Sequence, residues 1–236
     1  MGKYLNPNCS EILEQIKKPE FVDRSDLITE LNNRIDGYNQ YMAVYMPEGY
    51  GKTVATKLLT AYYSCKEKTR ESFSKLAVGQ SDSFEEHLNK YNVLFLDMYK
   101  LYDKAEKDIL YIEQLVVDEL KDNYPFLNRD IVSLHQLLYY IYEKTGQRWV
   151  IIIDECDYPY RVCTSVEDEK KLMKYYDFLV SVFKGFHADN YVALGYLTGR
   201  EHIKHFCGPL RAGIDHFVEY YMGESEKLTK YFGIIQ

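Results

Sequence analysis

A layered α/β fold, with a mainly parallel central sheet and helices on both faces, is predicted by three stretches of this chain. The first, Tyr41–Leu58, runs from an apolar segment (Tyr41–Met46) through a Pro/Gly turn into Gly51, Lys52 and Thr53, then into helix-like sequence. The second, Trp149–Asp157, opens with five consecutive apolar residues and reaches the acids Asp154 and Glu155. The third, Tyr191–Gly199, is another apolar run that ends in Thr198 and Gly199. Uninterrupted apolar runs rich in Ile and Val suit strands buried on both faces, and such strands belong to parallel sheets.

The remaining elements follow in order. Asp26–Tyr38 reads as a helix before the first strand, and Thr53–Lys68 as the helix after it. Ser83 and Glu86 have the spacing of a capping box that opens a short helix, Phe84–Lys90. Val93–Met98 reads as a buried strand. Asp108–Asn123 and Ile131–Lys144 repeat Leu, Ile and Tyr at helical spacing. Ser165 and Asp168 suggest a cap for a helix over Glu169–Phe186, and Phe217–Met222 suits a last strand. Strands alternating with helices imply ligand binding at the C-terminal ends of the strands. The whole, residues 1–236, reads as one domain, with 1–38 as an N-terminal extension packed on it.

The order strand, Gly-rich turn, helix carries chemistry. Backbone N–H groups and the helix N-terminus would hold the β- and γ-phosphates of a nucleotide. Lys52, expected to be exposed at the loop, would add a point charge, and the Thr53 hydroxyl would sit on Mg²⁺. Gly-Lys-Thr/Ser alone arises by chance roughly 0.1 times in a chain this long, so it decides little. The full phosphate-loop pattern also asks for glycine at position 46, where this chain has Met46.

Asp154 and Glu155 raise the odds. A carboxylate pair at the end of a buried strand is costly unless it has a task there. Asp154 would hold the metal shell and Glu155 would polarise the attacking water. Thr198 would face the γ-phosphate, with Arg200 just beyond it. The alternatives are a plain turn into a helix, a strand leaving the core with two solvated acids, and an ordinary strand end. Together these features predict the three-layer sandwich of a P-loop NTPase.

At these residues the chain resembles the predicted AAA-ATPase-like proteins of bacteria and archaea, over nearly its whole length. Tyr4-Leu5-Asn6-Pro7, Phe21–Asn32, Lys57–Ser64, His87–Met98, Ile153–Tyr160 and Tyr196–Gly199 are similar to family segments. The family loop usually reads Arg-Pro-Arg-Arg-Phe-Gly-Lys-Ser, without the first glycine. Here it is Met46, Pro47, Glu48, Gly49, Tyr50, Gly51, Lys52 and Thr53. Glu48 and Gly49 thus stand where the family carries arginines, and an acid beside a triphosphate weakens an anion site. Many family members continue into a restriction-nuclease-like domain. This sequence ends at Gln236, as a shortened form or a short member, and no nuclease activity is expected from it.

Composition narrows the partners. A net charge of −7 argues against a broad nucleic-acid face, since the basic cluster Lys66–Arg70 is interleaved with acid. No run of 18 apolar residues appears, and the first residues lack a signal peptide's apolar stretch. The five cysteines are scattered and read as reduced thiols, which points to the cytoplasm. His205 and Cys207 with Cys156 or Cys163 form only a weak metal-site candidate, because no pair has zinc-like spacing. The 24 tyrosines, several in adjacent pairs, suit packing at the core boundary or a partner surface.

The function expected is Mg²⁺-dependent binding and hydrolysis of a nucleoside triphosphate, ATP. Pro47–Thr53 would bind it, Thr53 and Asp154 would hold the metal, and Glu155, Thr198 and Arg200 would act on the phosphates. Arg211 is a second in-chain arginine candidate. A homo-oligomer or protein partner is expected to assist, because phosphoryl transfer usually calls for an arginine from elsewhere. The alternatives are a nucleotide-gated module that hydrolyses slowly or not at all, and a structural relic that binds no nucleotide.

Overall fold

The computed structural model describes residues 2–128, 130–163, 168–203, 217–221 and 231–232. Among these residues, five strands form one sheet: β1 (Tyr41–Tyr45), β2 (Asn92–Asp97), β3 (Trp149–Asp154), β4 (Val192–Gly199) and β5 (Val218–Tyr221). Their order is β2-β3-β4-β1-β5, and every pair is parallel. Parallel pairing requires crossovers, and helices supply them.

The apolar runs are buried on both faces. In β3, Ile151 and Ile153 point into one core and Val150 and Ile152 into the other. The second core is closed by α1 (Ser10–Ile16), α2 (Asp26–Asn32), α3 (Lys52–Tyr63), α4 (Arg70–Phe73) and α5 (Phe84–His87). The first is closed by α6 (Met98–Lys104), α7 (Ile109–Asn123), α8 (Leu134–Thr145), α9 (Tyr158–Val162), α10 (Glu169–Lys184) and α11 (Ala188–Tyr191). The α/β sandwich with a mainly parallel sheet is therefore present.

The N-terminal residues guard the β2 edge. Leu5 bridges Leu94 in antiparallel sense, the Phe95 N–H donates to the Tyr4 carbonyl at 2.9 Å, and the Asn6 N–H donates to Val93 at 2.7 Å. An open edge would otherwise present unpaired backbone groups.

Several elements end earlier or start later than the sequence suggests. The helix from Asp26 stops at Asn32, before Asp36 takes a left-handed φ of 65°. The helix after the loop begins at Lys52 and stops at Tyr63, because Ser64 turns extended and pairs with Tyr91. Ser83 makes no capping bond: its ψ of −2° is helical, and its hydroxyl accepts from Asn32 and pairs with Ser81. The helix over Ile131–Lys144 begins only at Leu134, after an extended Ser133. Helix α6 carries no sequence expectation; the Asp97 carboxylate caps it by accepting the Lys100 N–H at 3.1 Å. Ser165, Met222, His205, Cys207 and Arg211 lie outside the described residues.

Candidate functional site

Strands β1, β4 and β3 lie side by side, with Val44 opposite Thr198 and Leu197 opposite Ile153. Their C-terminal ends therefore open at one level. The Met46 N–H donates to the Gly199 carbonyl at 3.0 Å, which ties the loop after β1 to the end of β4. Gly49 and Gly51 have φ of 82° and 85°, so the turn uses a left-handed conformation that side chains resist. Gly51 caps α3, and the next residues present the helix N-terminus to the opening.

Lys52 is not exposed as the loop position suggests; it is 4 % exposed. Its ammonium donates to the carbonyls of Met46 (2.7 Å) and Pro47 (2.9 Å), and Glu155 Oε1 lies 3.8 Å away. Burial lowers its pKa, while Glu155 and Asp154 oppose the shift. The exposed Thr53 follows in the first turn of α3.

Asp154 ends β3 and is buried. Thr198 donates its hydroxyl to Asp154 Oδ1, and the Thr56 hydroxyl, which donates to the Thr53 carbonyl at 2.9 Å, lies 3.4 Å from Oδ2. Burial raises the Asp154 carboxyl above its usual value, and the bonds from Thr198 and Thr53 pull it back. An oxygen-only set with one carboxylate and a neighbouring threonine hydroxyl suits Mg²⁺, which keeps several waters and binds through few protein ligands. Among the described residues, no group of three or more His, Cys, Asp or Glu side chains could hold a metal ion by itself. Cys156 is fully buried, and burial pushes its thiol pKa well up.

Glu155 leaves the strand with a φ of 52°, uncommon for a residue with a side chain. Its N–H donates to Thr198 Oγ1 at 3.3 Å. Its carboxylate accepts from Arg161 and, at 3.3 Å, from Arg200 Nε. Arg161 also faces Asp157, with Nε 2.9 Å from Oδ2. Asp157, wholly buried, accepts the N–H groups of Arg200 (3.1 Å) and Glu201 (3.0 Å). Gly199 is needed beside it: a Cβ there would come 2.8 Å from Asp157 Oδ1. Glu48, expected to lie beside the phosphates, pairs with Arg200 and lines the same opening as Lys52 and Thr53.

Two cavities meet at Gly51 and Val54. One, of about 340 Å³, is bounded by Glu48, Gly49, Lys52, Thr53 and Glu155. The other, of about 260 Å³, is mostly apolar and is bounded by Phe21, Val22, Leu27, Ile28 and Leu58. Tyr50 is half-buried and packs against the α3-side core.

The structure thus gathers Lys52, Thr53, Asp154, Glu155, Thr198 and Arg200 at one opening. Thr198 turns to Asp154 and Arg200 to two carboxylates. Arg161 and Asp157 belong to no site motif of the sequence, although their four-residue spacing at a helix start is a signal of an ion pair. The apolar cavity has no local signal, because Phe21–Ile28 reaches the loop only through the tertiary fold.

Solved structures with a similar architecture include the ORC2 protein of Aeropyrum pernix in its ADP form. That match has a TM-score of 0.48 at 15 % identity and covers 88 % of this chain and 51 % of that one. The ADPNP-ADP complexes of the same protein match with a TM-score of 0.46 at the same identity and coverage. Cdc6p from Pyrobaculum aerophilum matches with a TM-score of 0.41 at 15 % identity, over 91 % of this chain and 45 % of that one. The chain spans about half the length of these proteins. No curated protein matches it. The family model described as "Predicted AAA-ATPase" matches residues 12–205, and the chain belongs to that family.

Proposed function

We propose that the chain binds ATP with Mg²⁺ across the two adjoining cavities and hydrolyses it. The observation that carries this reading is their pairing. A cavity at a helix N-terminus, lined by Glu48, Lys52, Thr53 and Glu155, adjoins an apolar one, and Gly51 and Val54 line both. A nucleotide has the same two halves, an anionic tail and a flat, largely apolar base.

Lys52 and the first N–H groups of α3 would take the phosphates. Thr53 and Asp154 would hold the metal, which when bound supplies positive charge to the phosphate oxygens. Among the described residues, the site sets four carboxylates (Glu48, Asp154, Glu155, Asp157) against three cations (Lys52, Arg161, Arg200). That formal surplus of negative charge makes the nucleotide dependent on a divalent ion. Glu155 would accept a proton from water, and Thr198 would fix both acids. Arg200 would act on the γ-phosphate, and a neighbouring subunit or protein partner would supply further charge.

A second reading has a specific observation in its favour. Glu155 is held by Arg161, Arg200 and Lys52, and a carboxylate so engaged is a poor base. A nucleotide-gated switch with little turnover fits that arrangement. Phosphate release separates the two. Hydrolysis that Glu155→Gln stops, with ATP still bound, supports the enzyme; ATP binding without release in the wild type supports the switch.

A further inference from the structure

The loop after β1 and the loop after β4 are joined twice. One link is backbone, Met46 N–H to Gly199. The other is ionic, between the Glu48 carboxylate and Arg200 Nη2. Arg200 cannot drift far from this place. Its N–H is fixed on the buried Asp157, and its Nε lies on Glu155. Glu48 lines the same cavity as Lys52 and Thr53. The guanidinium that would meet a terminal phosphoryl group thus already carries an anion, supplied by the loop itself.

We propose that Glu48 is an internal competitor of the γ-phosphate, so that its pairing with Arg200 sets the preference between tri- and diphosphate. This rests on the nucleotide-binding reading of the same site. A diphosphate ends short of Arg200 and leaves the pair intact. A triphosphate reaches Arg200 and must displace Glu48, whose side chain is 69 % exposed and free to swing into solvent. A ligand shifts such an equilibrium only by its different affinity for the two arrangements, and the γ-phosphate is the group that differs. Breaking the pair frees Arg200 Nη2 from Glu48 while Nε still faces Glu155, so the same guanidinium couples triphosphate binding to Glu155.

Simple repulsion between Glu48 and phosphate would look similar in one variant, so the test is a double-mutant cycle. Affinities for ADP and for a non-hydrolysable ATP analogue, both with Mg²⁺, are measured by calorimetry. The proteins are the full chain, Glu48→Gln, Arg200→Ala and the double variant, each checked for its unfolding midpoint. Glu48→Gln is expected to bind the ATP analogue about two- to five-fold more tightly, the range of an exposed ion pair, with ADP unchanged. In the Arg200→Ala background the same substitution is expected to do nothing. Equal tightening in both backgrounds, or equal tightening of both nucleotides, would overturn the competitor role and leave nucleotide binding standing. No binding of either nucleotide by the full chain would overturn both.

Discussion

Thr198 and Asp154 meet across adjacent strands: the hydroxyl of one donates to the carboxylate of the other, while the same oxygen accepts the Glu155 N–H at 3.3 Å. One residue of β4 thereby holds the carboxylate that ends β3 and the backbone of the residue that follows it. Asp154 is 2 % exposed, so its loss of a donor cannot be made good by bulk water. Thr198→Val keeps the shape and removes the donor. It is expected to destabilise the fold by about 1–3 kcal/mol in urea denaturation, and Thr198→Ser to recover most of that. An unchanged midpoint for Thr198→Val would mean that the hydroxyl does not support Asp154.

The raised carboxyl of Asp154 gives stability a definite pH dependence. Between the unfolded value of 3.8 and the higher folded value, the folded state binds more protons. This contribution is therefore complete below 3.8 and is lost as pH rises through the folded value. Asp154→Asn removes the penalty of the buried charge. Its unfolding midpoint is expected to exceed that of the wild type at neutral pH, with the gain shrinking as pH falls towards 4. A gain that grows on acidification would reverse the sign of the shift.

Arg161 faces the wholly buried Asp157 and also holds Glu155. Among the described residues, Arg161→Ala would leave Asp157 with the N–H groups of Arg200 and Glu201 as its donors. Breaking a buried pair from one side costs about 3 kcal/mol or more. Arg161→Ala is expected to lower stability by that order, and adding Asp157→Asn to cost less than the two single effects together. Strict additivity would show that the two groups do not support one another.

The layers of the fold were legible because each rests on a local pattern. Ile151, Ile152 and Ile153 alternate between two cores, and only a strand covered on both faces allows that. The neighbourhood of Lys52, Thr53 and Asp154 in the candidate site is legible because strand ends and a Gly-rich turn mark them in sequence. What was hidden depends on tertiary contacts. The carbonyls of Met46 and Pro47 fold back onto Lys52 and bury it. Arg200 could be named, but not that Glu48 would lie on it, since the two are brought together only by the pairing of β1 with β4. Ser83 has the spacing of a cap, yet Asn32 and Ser81 claim its hydroxyl.

Lys52 decides the central claim. Its ammonium stands at the helix N-terminus between two carbonyls and Glu155, and Lys52 lines the cavity proposed for the phosphates. The direct measurement is calorimetric titration of ATP into the wild type and Lys52→Ala, with and without Mg²⁺. The unfolding midpoints establish that both proteins are folded. The expected result is saturable binding of one ATP by the wild type, much weaker without Mg²⁺, and a loss of at least about ten-fold in affinity in Lys52→Ala. Equal affinity in the two proteins, or no binding by the folded wild type, would contradict the assignment of this opening as a nucleotide site.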